Sequence, residues 1–63
     1  MTSTEWKKAA RVLNSGKDFT MENGTEIRKF QGRYGYEYSL WAPGYGTITV
    51  EWDLLKIKSL VVD

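Results

Sequence analysis

The chain has 63 residues, 41% hydrophobic and 14% aromatic, with nine Lys and Arg against eight Asp and Glu for a net charge of +1. It contains no Cys and no His, which excludes disulfide staples, ordinary zinc sites, thiol nucleophiles and a histidine base titrating near neutrality. The near-neutral balance excludes coating nucleic acid by charge alone, and no apolar run approaches the ~20 residues that cross a bilayer.

This length allows one domain, residues 1–63, and a domain near that size buries only about 60% of its unfolded surface. Buried rings, each removing roughly 150–250 Å² from water, are the expected source of its stability. The start "MTSTEWKKAARVL" carries an acid at Glu5 and no long apolar stretch, unlike a secretory signal. A cytoplasmic location is the expectation.

The first element is a helix over residues 3–14. Thr2 and Glu5 have capping-box spacing, with Thr4 as a rival cap, and Asn14-Ser15-Gly16 supplies the stop. Trp6, Ala9, Ala10 and Leu13 recur at three- and four-residue steps, with Lys7, Lys8 and Arg11 on the other side. A helix this short is marginal alone and must dock its apolar stripe on something.

"KDFTMENGTEIRKF" reads as a hairpin. A two-residue Asn23-Gly24 loop pairs Met21 with Glu26. A three-residue loop, Glu22-Asn23-Gly24, pairs Met21 with Thr25 and Phe19 with Ile27, gathers the apolar side chains and puts Gly24 at a left-handed bulge position. The pattern favours the second.

"YGYEYSLW" then alternates, with Tyr34, Tyr36, Tyr38 and Leu40 on one face and Glu37, Ser39 and Trp41 on the other. Pro43 and Gly44 suit the centre of a type II turn. "TITVEWDL" alternates again, with Ile48, Val50, Trp52 and Leu54 on one side and Thr47, Thr49, Glu51 and Asp53 on the other. Pairing the two apolar sets places Tyr36, Tyr38 and Leu40 with Ile48, Val50 and Trp52 beneath the helix. The tail 54–62 fits a strand (Leu55, Ile57, Ser59, Val61) and a helical stripe (Leu54, Ile57, Leu60, Val61); its β-branched residues tilt the balance to a strand after a bend at Asp53-Leu54. The fold class expected is α+β: an N-terminal helix packed on a twisted antiparallel sheet of four or five strands. The alternative is a small SH3-like barrel with the helix at one end.

One helix cannot cover every ring. Trp41 opposes Leu40, Tyr45 sits in the turn, and Phe30 shares its parity with Arg28 but not with Ile27. Arg33 and Tyr34 lie just beyond. Phe30, Arg28, Arg33, Tyr34, Trp41 and Tyr45 are therefore the candidate partner-binding residues. Tyr, Trp and Arg are the usual anchors of protein–protein contacts. The same rings with Arg28, Lys29 and Arg33 also suit stacking and phosphate contacts on single-stranded nucleic acid or RNA. Against that, Glu26, Glu37 and Glu51 are spread over the strands, and "KFQGRYGYEY" lacks the RNA-recognition-motif signature. A helix followed by strands also invites comparison with double-stranded-RNA-binding domains, but those close with a strongly basic helix and this tail carries only Lys56 and Lys58.

Catalysis has little to stand on. No serine has a His partner, no calcium loop or phosphate loop occurs, and Gly32, Gly35, Gly44 and Gly46 fall in hairpins rather than between a strand and a helix as a phosphate loop requires. Glu37 and Glu51 would face each other across the second hairpin, but so small a domain seldom encloses a substrate cleft. The expectation is a small non-enzymatic binding or regulatory module without metal or cofactor, working through protein contacts. Such a module suits a bacterial or phage accessory or inhibitor protein. Self-association is expected if "SLVVD" forms an unguarded edge strand.

Overall fold

The computed structural model describes residues 1–63 as α1 (Ser3–Asn14), β1 (Phe19–Thr20), β2 (Glu26–Gln31), β3 (Tyr36–Ala42), β4 (Gly46–Glu51) and α2 (Leu54–Val61). The strands form one open antiparallel sheet in the order β1-β2-β3-β4. The α+β expectation therefore holds with four strands, and no barrel closes. Both helices lie on one face of the sheet. They share a buried cluster of Trp6, Ala9 and Leu13 from α1, Ile57 from α2, Ile27 from β2 and Leu40 from β3.

The start of α1 follows its sequence signals. Thr2 Oγ1 accepts from the Glu5 N–H at 3.1 Å, and the Thr2 N–H donates back to the Glu5 carboxylate at 3.2 Å. These two bonds satisfy amides that a helix start otherwise leaves free. The bond from the Thr2 backbone, then that from its side chain, holds the Glu5 carboxyl below its ordinary value of 4.5. A lowered folded-state pKa means stability that is present above about pH 4.5 and is lost as pH falls through the folded value. Glu5→Gln is therefore expected to flatten the fall of the melting temperature between neutral and acid pH. Identical slopes for the two proteins would show that the carboxylate contributes nothing.

At its other end α1 stops at Gly16, whose φ of 89° suits a residue without a Cβ. The Lys29 ammonium donates to the Leu13 carbonyl at 3.2 Å, which also accepts from the Gly16 N–H at 3.0 Å, and so ties the end of α1 to β2. Its stem runs over the helix-facing side of the sheet, where the ammonium lies 4.5 Å from the Tyr36 ring centre and 6.0 Å from that of Tyr38.

The first hairpin has the three-residue loop. Phe19 pairs with Ile27, the Met21 N–H donates to the Thr25 carbonyl at 2.7 Å, and Gly24 takes a φ of 87°. The short β1 leaves the outer edge of β2 open beyond Ile27. Asp18 covers part of it by accepting from the Lys29 N–H at 3.0 Å.

The second hairpin departs from the sequence reading. Its turn pairs Ala42 with Gly46 and Trp41 with Thr47. Continued without interruption, that register would have placed Leu40 opposite Ile48 and Tyr38 opposite Val50. A bulge intervenes between Leu40 and Trp41, so Leu40 instead pairs with Thr49, Ser39 with Val50 and Tyr38 with Glu51. A slip of one residue sends each following side chain to the other face. Thr49 and Glu51 thus lie on the helix side, and Ile48 and Val50 point away from it. Tyr38 is half-buried against the core as expected, whereas Tyr36 is 60% exposed.

The tail is also corrected: residues 54–61 form a helix. The Asp53 side chain caps it, accepting from the Leu55 N–H at 2.9 Å. Leu54, Ile57 and Val61 then face the cluster together, covering the part of the sheet that α1 does not reach. As a strand, the segment would have left β3 and β4 uncovered on that face. The sheet edges are β1 and β4, so the expected pairing of copies through "SLVVD" as an edge strand has no basis. Neither helix is long and apolar enough to cross a membrane.

Candidate functional site

With both helices on one side, the other face of the sheet has no cover. It is built in rows across the strands. Glu26 stands beside Trp41; Arg28 beside Ser39 and then Val50; Phe30 beside Glu37. Ile48 joins from the bulge. Trp52, one residue past β4, continues the register in which Tyr38 meets Glu51, and so comes alongside Glu37. The exposures are 39% for Phe30, 56% for Ile48, 47% for Val50 and 75% for Trp52. The accessible surface totals 4513 Å², above the roughly 4,200 Å² expected of a monomer of this mass.

At the centre of this face the Arg28 guanidinium lies 4.4 Å from the Trp41 ring centre, and its Nε donates to the Glu26 carboxylate at 3.2 Å. The cation is thus stacked and paired at once, and Trp41 is half-buried beneath it. Ser39, between Arg28 and Val50, is covered by its neighbours.

Of the residues expected from sequence, the fold brings Arg28, Phe30 and Trp41 together on the open face. Arg33 and Tyr34 lie in the β2–β3 loop at one end, with the guanidinium 5.7 Å from the Tyr34 ring centre and the ring 86% exposed. Tyr45, equally exposed, sits in the β3–β4 turn at the opposite end of β3, away from Tyr34. Lys29, grouped with these residues in the nucleic-acid reading, faces the helices instead. Ile48, Val50 and Trp52 belong to the open face and were assigned to the core by strand alternation. Nothing in the sequence marks the reversal, because the extra residue is Ile48, between the Trp41–Thr47 and Leu40–Thr49 pairs, and Gly46 pairs regularly with Ala42 beside the turn.

Glu37 and Glu51 lie on opposite faces, so they form no carboxylate pair. No three acidic side chains converge in a way that could hold a metal ion. The concavities are shallow. One, of about 270 Å³, opens between α1 and β1 along Met1, Glu5, Lys8, Phe19 and Met21. Another, of about 30 Å³, lies among Tyr34, Gly35, Tyr36, Glu37 and Trp52 at the end of the open face. Comparison with known protein families, with characterised proteins and with solved structures finds no match for this chain.

Proposed function

We propose that the chain is a non-enzymatic binding module that engages a protein partner through the uncovered face of its sheet. The observation that carries this reading is the register of β4, which adds Ile48 and Val50 to Phe30 and Trp41 on that face. Contiguous apolar surface flanked by polar groups is what protein contacts use, with aromatic residues and Arg as anchors.

The nucleic-acid alternative has less support. Glu26 and Glu37 share the face and repel phosphate, and its central cation, Arg28, is already engaged by Glu26. The closing helix carries Lys56 and Lys58, of which Lys56 stands 4.0 Å from Glu51. In low salt, labelled single-stranded and double-stranded oligonucleotides are expected to show no saturable binding. Binding that weakens steeply with salt would restore that alternative.

The protein-binding reading is tested with the immobilised chain. Val50→Lys and Phe30→Ser are expected to reduce retention of a specific partner at least about tenfold, as truncated anchors do. Lys7→Ser, on the solvent side of α1, should change nothing. Equal retention by all four proteins would overturn the assignment of the face.

A further inference from the structure

We infer that Asn23 is a site of spontaneous covalent modification, at which the loop of the first hairpin loses ammonia and rearranges to isoaspartate.

The reaction needs a carboxamide next to a backbone nitrogen that nothing shields. Asn23 and Gly24 supply both in the loop that joins β1 to β2. Asn23 is exposed to solvent, and Gly24 has no Cβ to block approach to its nitrogen. The Asn23 side chain also points the right way. Its Oδ1 accepts from the Thr25 N–H at 3.0 Å, so it reaches forward along the chain past the Gly24 nitrogen, as in an Asx turn. That bond polarises the carboxamide and keeps its carbon on the side of the nucleophile. One contact opposes the reaction: the Gly24 N–H donates to the Met21 carbonyl at 2.9 Å. The loop must open there first, and loop tips open more readily than the core.

The Gly24 nitrogen, its proton lost to hydroxide, bonds to the Asn23 Cγ. The Cγ–Nδ2 bond breaks, and ammonia leaves with a proton from water, which regenerates hydroxide. The product is a cyclic imide spanning residues 23 and 24. Water then opens the ring. Attack at Cγ gives aspartate. Attack at the main-chain carbonyl of residue 23 gives isoaspartate, in which the backbone runs through Cβ and Cγ. No electrons are gained or lost. Either product adds one negative charge to a chain whose net charge is +1, leaving it neutral.

Isoaspartate puts an extra carbon into a loop without slack. The loop closes on the Met21 N–H bond to the Thr25 carbonyl at 2.7 Å, and a Cβ on Gly24 would already stand 3.0 Å from Pro43 Cγ in the neighbouring turn. Lengthening it loosens β1, and with it Phe19, which packs against the core. Asn14, the chain's other asparagine, is an internal control. The residue after it is Ser15, whose N–H is held by the Arg11 and Val12 carbonyls at the end of α1.

The test incubates the whole folded chain in mildly alkaline buffer and maps the products by mass spectrometry, with isoaspartyl methyltransferase as the detecting enzyme. Isoaspartate is expected at residue 23 and not at residue 14. Its rate should be about twofold to tenfold below that of the chain unfolded in guanidinium, as the one backbone hydrogen bond at Gly24 implies. Asn23→Gln, whose longer side chain disfavours the ring, should abolish it. Hydrogen exchange of the Met21 amide should quicken by about twofold to tenfold in the isoaspartate form. In Asn23→Asp, which keeps the acceptor for Thr25, it should stay as in the parent. An intact Asn23 in the folded chain after the unfolded chain has converted would overturn the inference, as would equal conversion of Asn14. Unchanged exchange at Met21 in the isoaspartate form would overturn the loosening of β1.

Discussion

Ile57→Ala is expected to lower the stability of this chain by about 2–5 kcal/mol, whereas Leu55→Ala, two residues away, should cost less than about 1 kcal/mol. Ile57 has no exposed surface and Leu55 is 66% exposed. In a strand, alternate residues share a face, so the two substitutions would cost alike. In a helix two residues are about 200° apart, and one is buried while the other is wet. Whole-domain stability at this size is of the order of 3–9 kcal/mol, so loss of the Ile57 side chain takes a large part of it. Urea unfolding of the two variants gives the result directly. Similar losses would mean that residues 54–61 are not helical.

The second large effect concerns the register of β4. Leu40→Lys is expected to prevent folding, because it places an ammonium among Trp6, Leu13, Ile27 and Ile57 with no partner. Val50→Lys is expected to fold, with its unfolding free energy within about 1 kcal/mol of the parent. Had the two apolar sets faced each other, Val50 would be core and its replacement as damaging as that of Leu40. Loss of folding in both variants would return Val50 to the core and remove the apolar face on which partner binding is proposed.

The helix over 3–14, its capping pair and the first hairpin were legible because each depends on residues close together in sequence. Thr2 and Glu5 meet within one helical turn, and the Glu22-Asn23-Gly24 loop, chosen by its glycine and by the apolar side chains it gathers, fixes the pairing of Phe19 with Ile27. The candidate site was legible in part. Arg28, Phe30 and Trp41 came out on one face because β2 and the start of the second hairpin follow plain alternation. Tyr45 and Tyr34 did not join them, since a turn and a loop end lie outside that alternation.

By itself, the sequence determined that this is an α+β chain without the side chains for thiol, histidine or zinc chemistry, whose rings exceed what one helix can cover. Only the tertiary structure decided the fate of the strongest-looking apolar run, "ITVEW". Alternation specifies two faces but does not say which is inside. That choice came from one bulged residue and from the competition of "LLKIKSLV" to cover the same face as α1. α2 closed over Leu40 and Tyr38 on the same side as α1. Phe30, Ile48, Val50 and Trp52 were left on the side that neither helix covers.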